Sequence, residues 1–136
     1  MSAKRSGAAA IARVEAFLAC MEGRDLEAAT AHLGRGFSMT FPGPNTFRSL
    51  DRFAEWGKGR YRKIRNRVDR FDAVPDGDDV VVYAVGRASG VFGDGTDFKR
   101  VRFVDRFVIR GDRIVRMEAW SDISDVLLRA AAKGRR

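Results

Sequence analysis

The sequence predicts a single α+β domain in which helices precede an antiparallel sheet. Apolar residues recur at three- and four-residue steps through the first part of the chain, which is typical of helices that bury one face. From residue 67 onwards apolar and polar residues alternate, which is typical of strands. Because helices and strands do not alternate, the pattern argues against a parallel nucleotide-binding sheet.

Composition and chain ends predict one domain over residues 8–128, after a disordered tip of residues 1–7 and before a basic tail of residues 129–136. The chain has 136 residues, 45% of them hydrophobic, which is enough for one core. The apolar run before Arg13 is too short for a secretory leader or a membrane span. Cys20 is the only cysteine, which excludes an intrachain disulfide and favours the cytoplasm. No cofactor or metal is expected.

Three helices are expected before the sheet. The first has an apolar stripe and stops at Gly23; the stripe comprises Ile11, Val14, Leu18 and Met21. Asp25 is a suitable N-cap for a short second helix, whose stripe comprises Leu26, Ala29 and Leu33. Ser49 is a suitable N-cap for a third helix, which we expect to continue to Ile64.

Five strands are expected, at residues 37–41 and near residues 67–74, 80–92, 98–110 and 113–121. Glycine-containing turns separate the later strands, and Gly111 followed by Asp112 suits a two-residue hairpin. A short helical segment is expected over residues 123–132.

Residues 58–70 concentrate the positive charge of the chain. They contain seven basic residues and one acid, Asp69, and so supply +6 of the formal net charge of +8. The segment is either a solvated helix end and strand edge or a patch that attracts anions or nucleic acid. It lacks interleaved exposed aromatics and a known motif, so only non-specific nucleic-acid binding is expected.

Asp105 is the residue that departs from the alternation of its strand. Period two places it on an apolar face with Val101, Phe103, Phe107 and Ile109. A carboxylate on that face loses hydration, which raises its pKa unless a cation or several donors meet it. Asp105 is therefore either a structural acid that fixes the core or a group that faces a ligand.

The order of the elements and two sequence segments resemble the nuclear transport factor 2-like superfamily. These segments are EGRDLEAATAHLGRGFSMTFPG and VRFVDRFVIRGDRIVRMEAWSD. The superfamily includes SnoaL-like polyketide cyclases, ketosteroid isomerases and limonene-epoxide-hydrolase-like enzymes. The resemblance covers residues 8–128 and implies a cone-shaped fold, in which a curved antiparallel sheet packs on three N-terminal helices around an apolar pocket. One such scaffold supports many functions.

Of the three catalytic groups of ketosteroid isomerase, the resemblance matches one in this sequence and does not match the other two. The acid in the segment FVDRF matches Asp105. The tyrosine expected in the first helix falls on Phe17, and the base expected before the proline of the first strand falls on Phe41. Steroid isomerisation by that route is therefore not expected. Related cyclases and epoxide hydrolases also use pocket carboxylates, of which only Asp105 can be placed here.

The resemblance also implies which residues contact a ligand. On the last strand Met117, Ala119 and Val115 would face the pocket, whereas Trp120, Glu118 and Arg116 would face outwards, where such proteins commonly dimerise. Large aromatics with one polar atom suit a cavity rim. The candidate ligand-binding residues are Phe17, Phe41, Trp56, Tyr83, Phe103, Met117 and Ala119. His32, expected late in the second helix, is either structural or a near-neutral base.

Two functions remain open from the sequence. The first is an isomerase, cyclase or hydrolase that acts on an apolar cyclic or polyketide-like molecule, with Asp105 as the catalytic acid/base. The second is a non-catalytic ligand-binding or dimeric interaction domain, in which Asp105 is structural. Non-specific nucleic-acid binding is a third. A homodimer is expected because Trp120 would otherwise lie on an exposed sheet face. No membrane partner and no specific nucleic acid are expected.

Overall fold

The computed structural model describes residues 3–134 as four helices and one six-stranded sheet. In chain order the elements are α1 (Ala3–Glu22), α2 (Leu26–Thr30), β1 (Leu33–Phe41), β2 (Asn45–Phe47), α3 (Leu50–Arg60), β3 (Tyr61–Asp76), β4 (Asp79–Phe92), β5 (Asp97–Arg110), β6 (Arg113–Ser121) and α4 (Ile123–Gly134). The predicted α+β class is confirmed. None of the described helices is long and apolar enough to span a bilayer.

Two predicted helix starts are confirmed by their capping hydrogen bonds. The backbone N–H of Ala28 donates to Oδ1 of Asp25 at 3.1 Å, at the start of α2. The backbone N–H of Arg52 donates to Oγ of Ser49 at 3.3 Å, at the start of α3. Each side chain satisfies a backbone donor that has no partner within its own helix.

The outer ends of α1 and α4 differ from the prediction. α1 begins at Ala3, so residues 3–7 form its first turns instead of a disordered tip. α4 continues to Gly134 through most of the predicted basic tail. Residues 1, 2, 135 and 136 lie outside the described part of the chain.

The prediction that the third helix continues to Ile64 is wrong. α3 ends at Arg60, and the next residue, Tyr61, has an extended backbone with φ −130° and ψ 136°. Tyr61 begins β3 and lies opposite Phe92 of β4. Pairing along the whole of β4 satisfies the backbone of this segment, and this outweighs the local helical spacing of its apolar residues.

β1 is longer than predicted because it begins at Leu33, which was expected on the second helix. α2 already ends at Thr30. Gly34 allows β1 to approach β6 closely, since a Cβ there would lie 2.9 Å from Cγ1 of Val115. A tight turn after β1 leads into β2, a short strand that the sequence did not predict.

The strands lie in the order β2-β1-β6-β5-β4-β3. Neighbours are antiparallel except β1 and β6, which run parallel with Met39 opposite Met117. The prediction of an antiparallel sheet is therefore wrong at this pair of the described strands. The first strand of the chain, β1, therefore pairs with the last strand, β6.

Two hydrophobic clusters cover the face of the sheet that packs on α1, which we call the inner face; the opposite face is the outer face. The first cluster joins α1 to the sheet and includes Val14, Phe17, Met39, Val82, Ala84, Phe107, Ile109, Ile114 and Met117. The second cluster comprises Ala88, Phe92, Phe98, Val101, Phe103 and Ile123, the last of these from α4.

A β-bulge decides which residues of β6 face inwards. Ile114 and Arg116 pair with successive residues of β5, so Val115 is the extra residue between them. Ile114 and Met117 are buried, whereas Val115 is only half-buried. The prediction that Val115 shares the inner face with Met117 is wrong, because the bulge shifts the alternation by one residue.

Candidate functional site

Asp105 lies in the middle of β5 on the inner face and has an exposed fraction of 6%. The burial predicted from the alternation is therefore confirmed. Its cross-strand neighbours are Ala84 on β4 and Ala119 on β6. Both neighbours carry only a methyl side chain.

Asp105 lies where the two hydrophobic clusters meet. Phe107, two residues further along β5, belongs to the first cluster, and Phe103, two residues before, belongs to the second. On β4 the division falls between Ala84 and Ala88. The inner face thus has a band of small side chains around one acid, with large apolar side chains on both sides.

Burial in apolar surroundings raises the pKa of Asp105 to about 7. Desolvation is the only cause of the shift, and no described side chain pairs with the carboxyl group as a cation or hydrogen-bond donor. Loss of hydration disfavours the carboxylate relative to the neutral acid. At and below neutral pH the group can therefore donate a hydrogen bond into its surroundings.

Aromatic side chains form the walls on the helical side. Phe17 of α1 packs edge-on against Phe107, with ring centroids 6.2 Å apart. Phe41 of β1 stacks on Phe53 of α3, with centroids 4.7 Å apart. Phe41 lies two residues beyond Met39, on the same face of β1, and so reaches the level of Ala119.

Trp56 belongs to this wall, and the guanidinium group of Arg60 lies over its ring. Its ring centroid lies 5.8 Å from that of Phe41. The guanidinium carbon of Arg60 lies 4.5 Å from the Trp56 centroid and 5.9 Å from that of Tyr61. Nε of Arg60 is buried and has no hydrogen-bond partner among the described residues.

A surface depression of about 310 Å³ includes Ala119, a cross-strand neighbour of Asp105, in its lining. Its lining residues are Thr40, Phe41, Pro42, Gly43, Pro44, Glu118, Ala119, Trp120 and Ser121. A second depression, of about 470 Å³, lies against Trp56. Asp105 itself lines neither of them. Only the first depression is lined by a cross-strand neighbour of Asp105.

The structure separates one predicted ligand contact from the others. Phe103, Met117 and Ala119 lie on the inner face with Asp105, and Phe17 packs onto this face from α1. Tyr83 lies on the outer face, because it pairs with Arg106 and alternates with the inward Ala84. Its hydroxyl group interacts with the Arg106 guanidinium, which also donates to Glu118 at 3.1 Å. The expected position of Tyr83 at the pocket rim is therefore wrong.

Small residues on β4 are the part of the site that sequence reasoning missed. The inward positions of this strand are Ala84, Gly86, Ala88 and Gly90. A Cβ at Gly86 would collide with the backbone carbonyl oxygen of Arg67 on β3 and would lie 2.9 Å from the Phe103 ring. The glycine therefore makes room for both the neighbouring strand and that side chain. This alternation of small residues is visible in the sequence and would have indicated a face on which neighbouring strands and rings pack closely over β4.

His32 lies in the turn between α2 and β1, and not in the second helix as predicted. Nη1 of Arg13 lies 2.9 Å from Nδ1 of His32, and Sγ of Cys20 lies 3.9 Å from Nε2. Burial, with Arg13 and Arg113 as further causes, lowers the pKa of His32. Among the described residues, no three His, Cys, Asp or Glu side chains are grouped to hold a metal ion.

Comparison with known proteins agrees with this architecture. The family model of the SnoaL-like domain matches residues 14–117. An NTF2-like protein of unknown function from Burkholderia pseudomallei has a TM-score of 0.72 at 18% identity, over 88% of this chain and 95% of that chain. No curated protein matches the sequence.

Two further solved structures have the same fold. TerC, co-crystallised with polyporic acid, has a TM-score of 0.71 at 20% identity, over 87% of this chain and 95% of that chain. An NTF2-like protein from Burkholderia thailandensis has a TM-score of 0.67 at 25% identity, over 89% of this chain and 94% of that chain. The protein therefore has the NTF2-like fold and belongs to the SnoaL-like domain family.

Proposed function

We propose that this protein binds an apolar, ring-containing small molecule between its two hydrophobic clusters, where Asp105 donates a hydrogen bond to an oxygen atom of the ligand. The observation that carries the proposal is a buried carboxyl group with no partner among the described side chains. A buried polar group without a partner costs about 1–3 kcal/mol. A ligand oxygen opposite Asp105 would remove that cost, which favours oxygenated over purely hydrocarbon ligands.

The same acid supports proton transfer to or from the bound molecule. A pKa of about 7 gives Asp105 both protonation states near neutral pH, which is the best condition for general acid–base catalysis. Phe17 and Phe41 supply no second acid or base. The reaction class that needs only one such group is proton transfer beside a carbonyl, as in an isomerisation or a cyclisation.

A ketone and a hydrocarbon of equal shape test the hydrogen bond. Anthrone has a carbonyl that Asp105 can bind, whereas anthracene does not. We expect the wild type to bind anthrone about tenfold more tightly at pH 6, as one hydrogen bond in an apolar site predicts. The preference should disappear in Asp105→Ala and weaken above pH 7. Equal binding of the two molecules by the wild type would contradict the proposal. Polyporic acid, the molecule crystallised with TerC, is a second oxygenated probe.

Hydrogen–deuterium exchange separates catalysis from binding. The CH₂ protons of anthrone lie across the central ring from the carbonyl and exchange through its enol. An acid that protonates the carbonyl oxygen, while water takes the carbon-bound proton, should therefore accelerate their exchange in D₂O. Asp105→Asn keeps a hydrogen-bond donor but has no titratable proton. We expect this variant to bind anthrone and lose the acceleration. If the wild type binds anthrone without accelerating exchange, the protein is a ligand-binding domain, the second function that the sequence leaves open.

We also infer that two copies of the chain associate through the outer face. Trp120 is 52% exposed and lies opposite Val104, which in turn lies opposite Val85. The row places an exposed tryptophan beside two half-buried valines on the outer face. A symmetric pairing would cover it in both copies.

A further inference from the structure

Three arginines from three adjacent strands lie side by side on the outer face. Arg67 of β3 pairs with Arg87 of β4, and Arg87 pairs with Arg102 of β5. The side chains of Arg67 and Arg102 are both 82% exposed. We call these three residues the arginine row. Like charges directly opposite one another destabilise a sheet, so the row is not explained by strand pairing.

The next register position adds further cations. Arg65 lies two residues before Arg67 on the same face of β3 and pairs with Ser89. Arg100 interrupts β5 opposite Ser89, where its backbone has φ 54° and its N–H donates to Oγ of Ser89 at 3.3 Å. A positive φ is costly for a residue with a side chain. The strand is thus distorted at an exposed arginine beside the row.

Three carboxylates only partly neutralise this surface. Oε1 of Glu22 lies 4.0 Å from Nε of Arg65. Asp69 receives Nε and Nη2 of Arg87 at 3.1 and 3.2 Å and lies 3.8 Å from Arg67. Asp122 receives Nε of Arg102 at 2.6 Å. These pairs hold the guanidinium groups in position. The side chains of Arg67 and Arg102 nevertheless remain largely exposed to solvent. The cations outnumber the acids, which leaves a net positive surface.

We propose that the arginine row, with Arg65 and Arg100, binds the phosphate backbone of nucleic acid without reading its bases. Guanidinium groups pair with phosphate oxygens in a planar, bidentate geometry. Strands about 4.8 Å apart and residues about 7 Å apart along a strand place these groups within reach of successive phosphates of one backbone. The row lies on the face of a sheet and not on a helix or a two-stranded ribbon, the elements that enter the major groove to read bases.

This surface goes beyond the basic segment that the sequence indicates. Arg87, Arg100 and Arg102 are far from residues 58–70 in the chain and come together only through strand register. On β4 and β5 the row lies two residues from Val85 and Val104, which belong to the proposed dimer contact, and its β3 end lies at the edge of the sheet, furthest from Trp120. The surface is also independent of the pocket, because it lies on the opposite face of the sheet from Asp105. Loss of one activity should leave the other intact.

The test measures binding of a dye-labelled DNA duplex to the whole chain by fluorescence anisotropy, over a series of salt concentrations. The triple variant Arg67→Gln, Arg87→Gln and Arg102→Gln should lose three phosphate contacts. The negative slope of log affinity against log salt should therefore become less steep by about 2.7. The matched control is Arg35→Gln, Arg48→Gln and Arg52→Gln, which removes the same charge from the region of β1, β2 and α3. The control should keep the wild-type slope.

A variant that adds positive charge guards against a simple loss of folding. Asp69→Asn removes the acid between Arg67 and Arg87, so affinity for the duplex should rise severalfold. Unrelated duplex sequences should bind equally. Equal loss in the two triple variants would overturn the proposal, because net charge alone would then explain binding. So would binding to phosphatidylserine vesicles with no binding to the duplex, since the partner would then be a membrane surface.

Discussion

Ala119 lies directly opposite Asp105 and also borders the surface depression at the end of β6. Ala119 is half-buried, whereas Asp105 is buried. The size of this side chain should therefore control access to the acid.

Ala119→Leu should abolish most anthrone binding while the protein remains folded. A leucine would occupy the space beside Asp105 that we assign to the ligand. The matched control is Val104→Leu, which enlarges a side chain of the adjacent strand on the outer face. Fluorescence titration and thermal melts of both variants check this. A loss of about 1–3 kcal/mol of stability in Ala119→Leu would indicate overpacking and contradict an open site.

Asp105→Asn should remove a pH dependence of stability. The pKa of Asp105 is about 7 in the folded state and about 3.9 when unfolded, so the folded state binds more protons between these values. The free energy of unfolding should therefore be highest below pH 4, fall as pH rises to 7, and level off above it. The fall corresponds to roughly 4 kcal/mol at most.

The asparagine variant has no proton to lose, so its stability should change less over this range and exceed that of the wild type at pH 8. Urea denaturation from pH 4 to 8 measures both proteins. Parallel pH profiles would mean that Asp105 is ionised in the folded state and has a partner.

Arg13→Met should raise the pKa of His32. Burial is the first cause of the lowered pKa, and the Arg13 guanidinium, which favours the neutral ring, is the second. Removing only the second cause should move the pKa upwards, part of the way to its ordinary value. His32 is the only histidine, so its ring signals can be followed by NMR titration without assignment. An unchanged titration would show that Arg13 does not contact the ring in solution.

Trp120→Glu should convert a dimer into a monomer. A carboxylate at the centre of an apolar contact would be desolvated without a partner. Leu128→Glu is the control, because Leu128 is the most exposed large hydrophobic side chain described but lies on α4. Light scattering of the wild type and both variants gives the masses. A wild type that is monomeric at micromolar concentration would refute the dimer itself.

Local patterns predicted much of the sheet and the central acid. The burial of Asp105 follows from period two along β5, and no bulge intervenes between Val101 and Ile109 on the inner face. The same rule fails at Val115, where an extra residue shifts the alternation, and nothing near Val115 in the sequence marks the bulge. It also misplaced the start of β3, because Tyr61 follows its distant partner Phe92 and not its neighbours.

The site was predicted less completely for a similar reason. The roles of Ala84 and Ala119 depend on what lies across the strand from them, and register is a relationship between distant segments. Tyr83 was misplaced because its polarity and size suited a cavity rim, although it follows the alternation of β4 to the outer face. Side-chain chemistry identified candidate residues, but the pairing of strands decided which of them meet.

The parallel pairing of β1 with β6 has a consequence for the order in which this chain folds. β1 has only the three-residue β2 as a local partner, and its other neighbour is the last strand to be synthesised. Contacts between such distant segments form late, because the intervening chain must first lose much of its conformational freedom. Phe37 and Met39, both buried in the finished protein, therefore reach their full burial only after β6 has been synthesised. Until then this strand has an unpaired edge, which favours aggregation and recognition by chaperones.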